Sequence, residues 1–216
     1  MLVKCKMSYI WTKKFKKDTN IESKPPNFTG RYYNRDPGIN WAPYIPMRNI
    51  PIKYLEIGVA DGGNALHIAN SFCKHSESSI YCVDPWTDYD EYKEYKGKQE
   101  IGWETFNANI RRSPHFGKFK VYRGFSDSIV PTFEDNFFDI IFVDGNHETE
   151  YVYRDGIMAF NKVKSEGYIV FDDYFYFVSY WPETRLGIDR FLEEYSDKIK
   201  IINRENTFSQ CIIQKL

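Results

Sequence analysis

No run in this chain approaches the roughly 18 consecutive apolar residues of a membrane-spanning helix, and no signal peptide is read at its start. No membrane partner is expected, and the expected setting is soluble, reducing and cytoplasmic. Cysteine is scarce. Cys5, Cys73, Cys82 and Cys211 form no C-x-x-C pair, and Cys82 and Cys211 sit inside strand-like runs, where they read as small core residues. Net charge is also lacking: 29 basic against 30 acidic residues leave −1, so bulk electrostatics make no case for a nucleic-acid partner. No internal repeat and no second domain are visible.

Aromatic residues, by contrast, make up 18% of the 216 residues, with 17 Tyr and 17 Phe. That favours an aromatic-lined pocket or many aromatic core contacts. The length suffices for one domain with a full core. The chain is organised around Tyr54-Leu55-Glu56-Ile57-Gly58-Val59-Ala60-Asp61-Gly62-Gly63. An apolar run from Ile52 to Val59 predicts a buried parallel strand. A glycine-rich turn follows, then a helical pattern with Ala65, Leu66, Ile68, Ala69 and Phe72 on one face. Strand, glycine turn and helix present backbone N–H groups and a positive helix end to a ligand. The dinucleotide fingerprint G-x-G-x-x-G is missing. Instead, Gly58 and Gly62 are separated by three residues, and Glu56 precedes the first by two. Asp84 ends the next apolar strand, where a carboxylate can take both ribose hydroxyls of an adenosine ligand.

Elements alternate from residue 52: strand 52–59, helix 62–74, strand 79–84, helix 99–112, strand 118–123, a short helix near 127–133, strand 138–144, helix 148–163, strand 167–172 and helix 185–196. Two final strands, near 198–203 and 207–214, have only Arg204-Glu205-Asn206 between them and must be antiparallel. The fold class expected is α/β, a Rossmann-like, mostly parallel seven-stranded sheet with one antiparallel strand and helices on both faces. Residues 1–50 precede it as an extension, a lysine-rich tail to Lys17 and then a proline-punctuated aromatic arm. Such an arm covers a site or a subunit partner, as in a homodimer, or packs on the outside of the sheet. The polar, aromatic insertion from Pro85 to Gly97 leaves the carboxyl end of a strand and reads as a lid or as a surface loop.

The chemistry lies at the next two strand ends. Phe138–Val143 runs into Asp144-Gly145-Asn146-His147, and Tyr168–Phe171 runs into Asp172-Asp173. Adjacent parallel strands bring these three carboxylates to one sheet edge, where they repel unless something positive lies between them. A hard divalent cation such as magnesium answers that need and leaves positions for a substrate with two neighbouring hydroxyls.

The loop E-I-G-V-A-D-G-G followed by V-D resembles the cofactor loop of class I S-adenosylmethionine (SAM) methyltransferases. V-D-G-N-H-E-x-E-Y-V-x-x-D, then G-Y-I-V-F-D-D-Y, then G-I-D-R-F, is similar to metal-dependent O-methyltransferases, notably the macrocin-type sugar enzymes and the small methyltransferases of bacteria, phages and large DNA viruses. Catechol O-methyltransferase is a more distant likeness. The resemblance covers roughly residues 50–215 and implies a SAM-dependent domain over 51–216. It implies that Glu56, Gly58 and Gly62 shape the SAM loop, that Asp84 holds the ribose and that Ser126 lies by the adenine. Ser126 also reads as an N-cap. Asp144, Asp172 and Asp173 match metal ligands. His147 matches a base position, although other sugar enzymes of the group use the aspartate, so the base is His147 or Asp144; a bland alternative has His147 capping the next helix. Tyr174 to Trp181 would set aromatic faces beside the reacting centre. The D-D-Y start and the G-I-D-R-F helix favour a sugar hydroxyl, on a glycan or glycosylated product. A catechol-like phenol comes next, then a nucleic-acid ribose. A non-catalytic SAM-fold protein is the alternative of another class.

Overall fold

The structure, a computed structural model, describes residues 28–29, 36–88, 96–175, 182–204 and 209–216. Its strands are β1 Lys53–Ile57, β2 Ser79–Asp84, β3 Phe119–Arg123, β4 Phe138–Val143, β5 Val163–Phe171, β6 Ile199–Asn203 and β7 Cys211–Lys215. Its helices are α1 Pro37–Asn40, α2 Gly63–Asn70, α3 Gln99–Arg112, α4 Ser126–Ile129, α5 Thr149–Lys162 and α6 Pro182–Glu194. The strands form one seven-stranded sheet in the order β3-β2-β1-β4-β5-β7-β6. Only β7 is reversed, antiparallel to both β5 and β6. It lies between them in the sheet.

Period-two alternation divides the core between two faces. On one face Tyr54, Cys82, Phe142 and Ile212 pack with Leu66 of α2 and Phe106 of α3. On the other, Leu55, Ile57, Ile141 and Phe171 pack with Val152 of α5 and Phe191 of α6. Cys73, Cys82 and Cys211 are all fully buried. Trp41 is buried on the first face, with its ring 5.4 Å from Phe142 and its Nε1 donating to Gln210 Oε1 at 2.7 Å. The part of the aromatic arm that is described thus packs against the sheet; the lysine-rich tail lies outside the described residues.

Several boundaries differ from expectation, among them the end of β1 at Ile57 rather than 59 and the start of β7 at Cys211 rather than 207. α2 stops at Asn70 rather than 74, because the Ser71 and Cys73 N–H groups both turn back to the Ile68 carbonyl. β5 begins at Val163 rather than 167. The extra residues form an irregular lead-in, with Glu166 at φ 63° and a register shift opposite Phe138 and Ile140, and regular pairing with β4 resumes at Tyr168. α6 begins at Pro182 rather than 185, since proline is favoured in a first turn that lacks N–H partners anyway.

The order of strands reverses between β1 and β4, the switch point at whose carboxyl edge open α/β sheets bind ligands. The ladder runs one residue past the strands there: Gly58 N–H donates to Val83 O, Asp144 N–H to Ile57 O and Asp172 N–H to Val143 O, at 2.8–3.0 Å. The fit is so close that a Cβ on Gly58 would lie 1.9 Å from the Asp144 carbonyl oxygen, and Gly58 has φ 82°. We expect Gly58→Ala to lower unfolding free energy in urea by about 2–5 kcal/mol, from the clash and the left-handed backbone together. A loss below about 1 kcal/mol would mean that the two strand ends separate freely.

Candidate active site

A cleft of about 850 Å³ opens at this edge, a volume typical of small-molecule sites. Glu56, Gly58, Asp84 and Ser126 line one side of it, and Asp144, His147, Asp172 and Asp173 the other. Gly62 stands behind the loop, where a Cβ would meet the Phe106 ring at 2.6 Å.

The glycine loop is held open from within. Gly58, Ala60 and Gly62 all have positive φ, and Asp84 Oδ2 accepts the Val59 and Ala60 N–H groups at 2.8 and 3.0 Å. Asp84 Oδ1 accepts the Trp86 N–H, and Trp86 Nε1 donates back to the Ala60 carbonyl. Three of a carboxylate's roughly four acceptor positions are thereby used on the backbone, so Asp84 clamps the loop as well as lining the cleft. Burial pushes its pKa up, against the pull of those N–H bonds. Trp86 is buried against Trp103 and Phe106. The start of the Pro85–Gly97 insertion is thus a wedge under the loop. Residues 89–95 lie outside the described residues.

Glu56 is buried and accepts hydrogen bonds from the Tyr54 hydroxyl at 2.6 Å and Asn64 Nδ2 at 2.9 Å. Desolvation raises its pKa from 4.5 to about 8, reinforced by the charges of Asp144 and Asp84 and opposed by the two donors. At neutral pH this acid is largely protonated.

Across the cleft, Asp144, His147 and Asp173 converge with one ligand atom of each within 4.8 Å of the others. His147 Nε2 lies 3.2 Å from Asp173 Oδ2 and 3.7 Å from Asp144 Oδ1. Asp173 reaches this position with φ 55°, a conformation that aspartate tolerates better than most residues, and its Oδ1 is buried with no hydrogen-bond partner among the described residues. Asp172 is buried beside the group without belonging to it. At the start of α5 the Glu148 N–H donates to Asn146 Oδ1 at 2.8 Å. Ser126 does not cap α4; its Oγ donates to Asp155 Oδ1 at 2.7 Å. Tyr174, the first residue of the expected aromatic wall, is not part of it: it turns away from the cleft, donates to Asp189 Oδ1, and lines a separate hollow of about 500 Å³ between α6 and β6. Residues 176–181 lie outside the described residues.

A family model described as a methyltransferase domain matches residues 55–174, from β1 through the aspartate pair. The chain belongs to that methyltransferase family. An uncharacterised protein of Acanthamoeba polyphaga mimivirus is 28% identical over 126 residues, 57% of this chain and 52% of that protein, so the match spans about half the relative's length. The fold is similar to that of the O-methyltransferase TomG of Streptomyces achromogenes, solved in complex with SAM, at 13% identity over 77% of this chain and 74% of that one, with a TM-score of 0.57. It is also similar to an O-methyltransferase of Bacillus cereus solved in complex with SAH, at 15% identity over 76% and 73%, with a TM-score of 0.53. At these identities the likeness is one of fold.

Within this methyltransferase fold the cleft also holds groups that sequence reading passed over. Asp155 is 2% exposed, and burial raises its pKa to about 6 against the hydrogen bond from Ser126. The available signal was periodicity: Asp155 shares the buried stripe of α5 with Val152, Gly156 and Ala159, where a charge needs a reason. Arg154 and Tyr151 line the rim, with the guanidinium 4.8 Å from the ring. No helix among the described residues is long and apolar enough to cross a membrane.

Glu56 makes stability depend on pH. The folded chain keeps a proton that the unfolded chain releases above pH 4.5, so this contribution is full below that value and is lost as pH rises through about 8. Asp155 acts in the same direction only up to about 6. Between about pH 6.5 and 8 we expect unfolding free energy to fall by up to about 1.4 kcal/mol per pH unit. Glu56→Gln, whose carbonyl accepts the same two hydrogen bonds, should flatten this slope in urea titrations; an unchanged slope would place its origin elsewhere.

Proposed function

We propose that this chain is a SAM-dependent O-methyltransferase that transfers a methyl group to a sugar hydroxyl, in a glycan or glycosylated product, with a divalent cation, magnesium, at the aspartate cluster. The observation that carries the reading is the convergence of Asp144, His147 and Asp173 on the cleft that the glycine loop opens. The residues fit both groups. The glycine loop, held at positive φ and clamped by Asp84, lines the cleft with backbone, and the buried Asp173 Oδ1 is an acceptor with no donor among the described residues, as a cation ligand requires. Asp144 and Asp173 would hold the cation, joined by Asp172 in the set that the resemblance implies or by His147 in the group that lies together. When bound, SAM supplies an electrophilic methyl, and the cation supplies charge that lowers the pKa of a hydroxyl.

The chain's own residues orient the acceptor and move one proton. His147 Nε2, or Asp144 in its place, takes the hydroxyl proton. SAM held by the glycine loop, Asp84 and Ser126 would supply the methyl for that oxygen, with the electrons of the methyl–sulfur bond left on sulfur. Holding the two reactants in line is worth on the order of 7–11 kcal/mol. The Tyr151 ring, 41% exposed at the cleft, offers a stacking face. Such a face suits the apolar side of a sugar and equally a catechol-like phenol, which remains the second reading. The lysine tail that suggested a nucleic-acid ribose lies outside the described residues.

Thermal unfolding with S-adenosylhomocysteine, with and without magnesium, tests the reading. Ligand at about 100 times its dissociation constant stabilises by about 2.7 kcal/mol. The midpoint should rise with S-adenosylhomocysteine and rise further with magnesium. Asp173→Asn, which tolerates the same backbone, should keep the first increment, lose the second and abolish transfer. A shift indifferent to magnesium in the unsubstituted protein removes the cation from the proposal; no shift at all removes the cofactor. His147→Ala distinguishes the two candidate bases: near-full rate would leave the task to Asp144.

A further inference from the structure

We propose that Asp155 is a positioning residue that fixes Ser126 as a hydrogen-bond acceptor for the exocyclic amine of the cofactor's purine, so that the pair selects adenine. This rests on the reading of the cleft as a SAM site.

Sheet order gives the direction. A ligand with its reacting methyl at Asp144, after β4, and its ribose by Asp84, after β2, spans β1 and points its base toward the next strand end, that of β3. There the chain presents Phe125, 49% exposed at the cleft, as a stacking face, and Ser126 beside it.

A serine hydroxyl has one proton and two acceptor positions. Ser126 commits its proton to Asp155 Oδ1 at 2.7 Å, so only acceptor positions remain for a base. An amine satisfies them; a carbonyl oxygen in its place sets two acceptors face to face. Asp155 is held to this task. It is almost completely buried, and its Oδ2 lies 3.1 Å from where a Cβ on Gly145 would stand, so the side chain fits between Ser126 and the turn after β4. A carboxylate on the apolar stripe of α5 is costly, and the proposed proton transfer at Asp144 and His147 does not use it.

Calorimetric titration with S-adenosylhomocysteine and with S-inosylhomocysteine, which carries a carbonyl oxygen in place of the amine, tests this. The unsubstituted protein should prefer the adenosyl compound by about tenfold or more. Asp155→Ala frees the serine proton to be donated, so the inosyl compound should bind more tightly than it does to the unsubstituted protein, and the preference should collapse. Ser126→Ala, on a short partly exposed helix, should lose the preference without that gain and serves if Asp155→Ala fails to fold. Equal affinity of the unsubstituted protein for both compounds overturns the proposal, as does a parallel loss for both in Asp155→Ala, which is the mark of a structural role. Failure to bind either compound overturns the cofactor reading and this inference with it.

Discussion

The contact between the Gly58 backbone and the Asp144 carbonyl governs everything around it. Two parallel strands end side by side here with no room for a side chain between them. Because the Gly58 and Asp144 N–H groups both continue the ladder, the chain cannot leave β1 or β4 in an arbitrary direction. From β1 it must turn through positive φ into the glycine loop. From β4 it must turn through Gly145 toward His147. The loop that would take a cofactor and the group that would take a proton are therefore placed by one packing constraint. This is why the site tolerates so little at Gly58 while residues along the rim, such as Tyr151, stand in solvent.

The second organising feature is charge. Glu56, Asp84, Asp144, Asp155, Asp172 and Asp173 all line one cleft. They do not carry equal charge at neutral pH. Burial raises Glu56 to about 8, and it is held as a neutral acid between Tyr54 and Asn64. Asp84, also buried, is pushed up by desolvation too, but three backbone N–H groups pull against it. The carboxylates of Asp144 and Asp173 gather on the other side of the cleft, with His147 between them. A cleft of this polarity suits occupants that bring positive charge, which supports a sulfonium cofactor and a divalent cation over a nicotinamide pyrophosphate.

Much of this was legible in the sequence because it resides in strand ends. An apolar run followed by Asp-Gly or Asp-Asp names the sheet edge and the carboxylates on it, and the single short link before β7 names the reversed strand. Side-chain direction beyond a strand end was not legible. Tyr174 follows two cleft aspartates directly yet turns behind the sheet to Asp189, because Asp173 adopts φ 55° and redirects the chain. Trp86, in what reads as a polar insertion, is drawn under the glycine loop by its neighbours Trp103 and Phe106, which are distant in sequence. Asp155 was visible as a letter in a motif, but its partner Ser126 lies on another helix, and only the fold brings them together.

The stretch before β1 shows how far the cleft depends on parts that carry no motif. Asn109 on α3 is buried and donates to both the Asp61 and Thr29 carbonyls while accepting the Thr29 N–H. One amide therefore ties the back of the glycine loop to the arm. Trp41 does the same on the other side, reaching Gln210, which lines the cleft just before β7. An exposed appendage would have no reason to bury a tryptophan completely or to satisfy its N–H with a residue 169 positions away. Residues 36–50, read from sequence as part of an extension, thus supply core to the face that carries α2 and α3. The loop those helices support rests on the arm as much as on the sheet.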